Sequence, residues 1–250
     1  MSAIDIREEA GVRTLHFGSD WIQGAMRIAR PWRLELDYTQ DMMASLLFRE
    51  EPRFPRKALL IGLGAASLCK FLYRHRPDTE LTVVEIDPAV VAAARQFFKL
   101  PEDSQRLRIV IDDGARFVER TGKTYDLILV DGFDANARAG ELDSPFFYER
   151  CRERLSRIGI LAVNLIGRNR SFRKSVERLK AAFEDQALAF PACEGGNVIA
   201  FASGREPVKI TLAALREQAG QLKKDTGLNL LPTLSRLEQD QSCRGGTLVI

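Results

Sequence analysis

The chain has 250 residues, 45% of them hydrophobic and 28% charged, with a formal net charge of +3. That length suits one large domain or a domain with a smaller unit attached. No run approaches the roughly 18 uncharged apolar residues of a membrane span, and so mild a positive charge leaves no strong footprint for nucleic acid.

In chain order, "VRTLHF" and "WIQGAMRI" predict two strands joined by the turn "GSD". "DYTQDMMASLLF" predicts a helix with Asp37 as its cap, Gln40 as the capping-box partner, and Met42, Met43, Leu46 and Leu47 as its buried stripe. The charged, proline-containing "REEPRFPRK" reads as a linker. From Ala58 onward, apolar strands alternate with helices. "ALLIGLG" leads into "ASLCKFLYRHR", with Leu68, Phe71 and Leu72 on one face. "ELTVVEI" leads into "DPAVVAAARQFF", with Asp87 as N-cap and Pro88 at the first helical position. "LRIVID", the short helix "ARFVER" and the strand "YDLILVD" follow, then a loop over 132–143. "SPFFYERCRERL", "GILAVNLI", "SFRKSVERLKAAF", "ALAFPA" and "NVIAFAS" complete the alternation. Short, continuous apolar strands separated by helices predict a parallel sheet covered on both faces. The last 45 residues add a helix with Leu212, Leu215, Ala219 and Leu222 in register, and a short apolar end, "TLVI". The expected units are 1–50, a small β-rich N-terminal unit; 51–204, the α/β domain; and 205–250, a helical extension packed on it.

Rare residues narrow the chemistry. Only His16 and His75 are present, and both sit where a structural role is expected. A multi-histidine metal site is thereby excluded, a Ser-His-Asp triad disfavoured, and a carboxylate left as the expected general base. The four cysteines, Cys69, Cys151, Cys193 and Cys243, form no C-x-x-C pair, so neither zinc nor a disulfide framework is expected. With no apolar leader in "MSAIDIREEAG", the expected location is a reducing cytoplasm. The arginines of "IGRNRSFRK" (166–174) read as a solvated helix start.

In an open parallel sheet, ligands bind beyond the carboxyl ends of the strands. The first of these strands ends in Gly62-Leu63-Gly64, where glycines allow close backbone approach. The second ends in Glu85, 21 residues after Gly64, suited to both hydroxyls of a ribose. The third ends in Asp112-Asp113-Gly114, where a carboxylate can accept from an adenine amino group. The fourth ends in Asp131, with Asp134 three residues on. No Gly-Lys-Ser/Thr follows the glycine loop, so it is not a kinase-type phosphate loop, and Ser67 occupies the third small position of G-x-G-x-x-G. An aspartate at the end of a fully apolar strand is costly to bury without a partner; a cationic amine, or a proton to abstract, would supply one.

In order along the chain, "LLIGLG", "VVEIDPAVV", "IVIDDGARFV", "YDLILVDGFD" and "FFYERCRERLSRIGILAVN" resemble the polyamine aminopropyltransferases, the spermidine synthase family, over roughly residues 30–165. The resemblance implies an α/β fold with a doubly wound Rossmann-like methyltransferase sheet and a small β-rich N-terminal unit. It implies decarboxylated S-adenosylmethionine as co-substrate, no metal, and a small amine such as putrescine as acceptor. By position it makes Asp131 the general base, and Glu85 with Gly62 and Gly64, and Asp113 with Gly114, the adenosyl site. Tyr38, Gln40 and Asp134 would line the amine site, under a lid at 132–144. Three positions depart from the family pattern. Ala65 stands where the family has the aspartate that grips the aminopropyl ammonium, Gln40 stands where it has glutamate, and Asp134-Ala135-Asn136-Ala137-Arg138 replaces D-P-x-G-P. Aminopropyl transfer is the leading expectation. A methyltransferase using intact S-adenosylmethionine is the second, and a non-catalytic adenosyl-binding relative the third. Pairing of two copies through the N-terminal strands or the C-terminal helix is allowed.

Overall fold

A computed structural model describes residues 4–134, 136–167 and 171–250. Arg168, Asn169 and Arg170 of the basic run, and Ala135 of the expected lid, lie outside the described residues. Three antiparallel strands open the chain, one more than expected: β1 (Ile4–Glu9), β2 (Val12–Phe17) and β3 (Ile22–Arg27). The strand missed, "IDIREE", is largely polar and only half-buried, so it carries little apolar alternation to read.

Helix α1 (Asp37–Met42) passes straight into a 3₁₀ turn at Met43–Leu47. Its N-cap is Leu36, with no side-chain cap, so neither Asp37 nor Gln40 serves as expected. Asp37 lies one residue inside the helix, and the Gln40 amide donates to Leu34 O at 3.3 Å instead. Met42, Met43, Leu46 and Leu47 are buried, and that packing rather than a capping box holds the segment.

The alternating region gives β4 (Lys57–Ile61), α2 (Ser67–His75), β5 (Glu80–Glu85), α3 (Pro88–Phe97), β6 (Leu107–Ile111), α4 (Gly114–Arg120) and β7 (Tyr125–Val130). Then come α5 (Pro145–Arg154), β8 (Leu155–Ile166), α6 (Phe172–Ala182), β9 (Ala187–Ala189) and β10 (Asn197–Ser203). The sheet order is β6-β5-β4-β7-β8-β10-β9. The first five strands are parallel; β10 runs antiparallel to β8, and β9 antiparallel to β10. The expected all-parallel sheet therefore ends in an antiparallel edge. No helix separates β9 from β10, so the chain returns by a short turn, which only antiparallel strands permit.

Alternation assigns the two faces. Ala58 and Leu60 of β4 and Leu127 and Leu129 of β7 face one core, while Leu59, Ile61, Ile128 and Val130 face the other. The second core is closed by α5 and α6 through Phe147, Tyr148, Cys151 and Leu179. The first is closed by α2 and α3, by Leu15 and Met26 of the N-terminal strands, and by the C-terminal segment. That segment comprises β11 (Lys209–Thr211), α7 (Leu212–Thr226), α8 (Leu231–Gln239) and β12 (Thr247–Val249), with β11 and β12 paired antiparallel. The stretches 1–50 and 205–250 thus share one apolar core with the central sheet. The Asp41 carboxylate on α1 accepts from Thr233 Oγ1 (2.6 Å) and pairs with Arg236 (2.5 Å), both on α8.

Candidate active site

Strand order reverses beside β4: β5 and β6 lie on one side of it, β7 and β8 on the other. The crevice of an open α/β sheet forms at such a reversal. Here Asp131 N donates to Ile61 O (2.8 Å), and Gly62 N to Val84 O (2.9 Å), so three strand tips are tied together. Gly62 has φ +92°, and a Cβ added there would lie 2.1 Å from Asp131 O. Only glycine lets the loop pass this close to the strand end that carries Asp131. Gly64, at φ +50°, lies under β3 near Gln23 O.

Glu85 is buried at the tip of β5. Its Oε2 accepts from Leu63 N (2.9 Å) and its Oε1 from Asp87 N (3.0 Å). Burial raises its pKa, and the backbone donors pull it back down. Capping of α3 falls to Asp87, whose Oδ1 accepts from Ala89 N. Glu85 therefore braces the glycine loop and keeps lone pairs for further donors.

At the tip of β6, Asp113 Oδ1 accepts from Arg116 N (2.9 Å) and caps α4, while Asp112 pairs with Arg120. A Cβ on Gly114 would meet Ile61 Cγ2 at 2.4 Å, so this turn too needs a bare backbone. Sequence reasoning missed Ile86 and Ile111, which follow and end adjacent strands and are 66% and 50% exposed. An exposed apolar pair beside Asp113 suits the face of a planar ring. The signal available was an isoleucine between two acids in "EID".

Asp131 is partly buried at the tip of β7. Tyr38 Oη, from α1, donates to its Oδ2 (3.1 Å), and Asn164 Nδ2, from β8, donates to its Oδ1 (2.9 Å). Burial raises its pKa; Asn164 and Tyr38 each lower it. Tyr38 is held well above the usual phenol range, by burial first and by the Asp131 charge and hydrogen bond next, so it stays a donor. Asn164 was missed in the sequence. It is the one polar residue in "GILAVNLI", and a buried amide amid such a run needs a partner.

Two expected residues do not converge on Asp131. Asp134 is exposed, and its Oδ1 accepts from Asn136 N (2.8 Å) and Arg138 N (2.9 Å), folding its own loop. Gln40 lines a separate cleft of about 490 Å³ with Trp32, Arg74 and Asn229. A helix turns about 100° per residue, so residues 38 and 40 leave α1 in different directions. Ala65 is 2% exposed, and a Cβ added to Gly24 of β3 would lie 2.6 Å from its methyl group. The N-terminal strands lie directly on the glycine loop where the family pattern has its aspartate. Among the described residues, no group of three or more His, Cys, Asp or Glu side chains could hold a metal.

Comparison with known proteins identifies the relatives of the chain. The family model for the spermine/spermidine synthase domain matches residues 35–197. A polyamine aminopropyltransferase of Chromobacterium violaceum is 36% identical over 250 residues, covering 100% of this chain and 95% of that protein. One from Neisseria meningitidis serogroup A is 34% identical over 242 residues, covering 97% and 91%. Among solved structures, human methyltransferase-like protein 13 in complex with SAH aligns with TM-score 0.67 at 25% identity, over 77% of this chain and 93% of that one. A spermidine synthase in complex with the transition-state analogue AdoDATO aligns with TM-score 0.61 at 22% identity, over 82% and 74%, a likeness of fold. The α/β sheet with its N-terminal β unit, the ordered strand-tip acids and this full-length identity place the chain in the spermine/spermidine synthase family.

Proposed function

We propose that the chain is an aminopropyltransferase of polyamine biosynthesis, moving the aminopropyl group of decarboxylated S-adenosylmethionine to a small amine such as putrescine. The observation that carries this reading is Asp131 at the strand reversal, against Gly62 and held by Tyr38 and Asn164. The adenosyl group would lie across Gly62 and Gly64, with its ribose at Glu85 and its adenine beside Asp113, Gly114, Ile86 and Ile111. An amine is cationic in water and attacks only after losing a proton. Asp131 first attracts the cation, then takes the proton. The amine nitrogen bonds to the aminopropyl carbon next to sulfur, the carbon–sulfur bond breaks, and sulfur keeps the pair in neutral methylthioadenosine. Holding two cations in line supplies much of the acceleration.

Asp134 would hold the far end of the amine on releasing its own loop. Gln40 would reach the amine only if its side chain left the separate cleft it now lines. The four buried, unpaired cysteines suit a reducing cytoplasm. Among the described residues, no helix is long and apolar enough to cross a membrane. Exposed Trp21, Ile22 and Ile28, on and beside the N-terminal strands, offer apolar surface for a second copy.

Ala65 favours a second reading, since no carboxylate at that position meets a donor ammonium or repels a methionine carboxylate. The test is incubation with each adenosyl donor and a panel of diamines. Release of methylthioadenosine that depends on Asp131 supports aminopropyl transfer, and release of adenosylhomocysteine replaces it with methyl transfer.

A further inference from the structure

Polar groups continue in a line behind Asp131. Asn164 Nδ2 donates to Asp131 Oδ1 at 2.9 Å, and Asn164 Oδ1 accepts from Asn197 Nδ2, also at 2.9 Å. Asn164 is 4% exposed, between buried Val163 and Leu165, and Asn197 is half-buried at the start of β10. The two ends of an amide have nearly the same shape and opposite hydrogen-bonding character. Turned over, Asn164 would aim a lone pair at the Asp131 carboxylate. Size alone does not prevent that turn. The acceptor-only carboxylate favours the N–H end of Asn164, and Asn197 reinforces that choice by donating to the Asn164 oxygen.

We propose that Asn197 is a positioning residue: by donating to Asn164 Oδ1, it fixes which end of the Asn164 amide meets Asp131 and so keeps the base ready to accept a proton. The inference rests on the reading of Asp131 as the base. Among the described residues, few groups face Asp131. They are Tyr38 from α1, Asn164 from β8 and the backbone of Gly62 beyond β4; no charged side chain among the described residues contributes to its raised pKa. On the far side of Asn197 stand Cys193, whose N–H donates to Asn197 O, and the bend at Gly195 and Gly196. Burial is the largest influence on Asp131 and raises its pKa; two donors oppose it, and Asn197 supports one of them. A hydrogen bond to an ionised group favours that form. Losing the orientation of Asn164 will move the Asp131 titration upward and leave less base at neutral pH.

The test is titration of the Asp131 carboxyl by ¹³C NMR in labelled full-length protein without substrate. The set is wild type, Asn197→Ala, Asn164→Ala and the double variant. Asn164→Ala is expected to raise the midpoint by about one pH unit, and Asn197→Ala by about half a unit or more. The double variant should match Asn164→Ala alone, because Asn197 acts only through Asn164. The acid limb of the kcat/KM profile should move by the same amounts. An unchanged midpoint in Asn197→Ala, or a shift that adds in full to that of Asn164→Ala, overturns the proposal. Should Asn197→Ala not fold, Asn197→Asp keeps the shape and removes the donor. Its charge acts on Asp131 with or without Asn164, so the same cycle in the Asn164→Ala background isolates orientation. If the wild type releases no methylthioadenosine, Asp131 loses its assignment as the base, while the titration still judges the relay.

Discussion

Glu85 and Asp131 are both shielded carboxylates at the tips of parallel strands, and burial raises the pKa of each. They differ in what satisfies them. Glu85 accepts from the backbone N–H groups of Leu63 and Asp87, donors fixed by the fold. Asp131 accepts from a tyrosine hydroxyl and an amide, side-chain donors from two other elements. Fixed dipoles suit a carboxylate that must stay ionised and hold a loop while it binds. Side-chain donors can turn or retreat, which suits a carboxylate that must take up a proton and give it back. On the proposed reading, the carboxyl end of the sheet presents a binding acid and a reacting acid, and the donors distinguish them more clearly than the pKa direction does.

Substitution should break that comparison open. The largest effect is expected for Asp131→Asn: turnover should fall by about 10²–10⁴, the range for a lost general base, with donor affinity nearly unchanged by calorimetry. Equal losses of affinity and turnover would mean that Asp131 binds rather than reacts. Glu85→Gln should behave in the opposite way. Its new NH₂ faces a backbone N–H whichever way it turns, so KM for the donor should rise by about ten- to a hundredfold, with kcat at saturation largely kept. Tyr38→Phe removes one of the two donors to Asp131. The acid limb of kcat/KM should move upward by about half a pH unit to one unit, a shift that Glu85→Gln should lack.

The smallest effect concerns stability. Asp131 titrates above its unfolded value, so the native state binds more protons between the two midpoints. Its contribution is then most favourable below the unfolded pKa and is lost as pH rises through the folded one. Asp131→Asn should therefore melt a few degrees higher than wild type at pH 7, with the gain vanishing below about pH 4, the ordinary aspartate range. A lower melting temperature at neutral pH would show that the ionised carboxylate stabilises the fold. Inactive yet more stable is the expected signature of a site held under strain for function.

Much of the fold was legible because its signals are local. Asp87 with Pro88 and Ser144 with Pro145 start helices as expected, since a cap and its target lie within three residues. Leu212, Leu215, Ala219 and Leu222 repeat at helical spacing and are buried together. Where a signal was weak or shared, the reading slipped. The polar strand β1 hid its pairing, and Asp37 satisfied a capping pattern that the packing of α1 did not use. The site divided similarly. Gly62, Glu85, Asp113 and Asp131 announced themselves as strand ends. Asn164 and Asn197 did not, because an asparagine in a strand gains its meaning only from what stands opposite it.

The sequence by itself determined the alternation of strands and helices, the glycine turn and the acid at each following strand tip. Periodicity, capping and turn chemistry all act over a few neighbouring residues. Only the tertiary structure decided what each acid meets. Tyr38 reaches Asp131 across 93 positions and Asn164 across 33, while Gly24 of β3 comes to lie against Ala65. Such meetings depend on the sheet order and on how the N-terminal strands dock, and no local spacing encodes either.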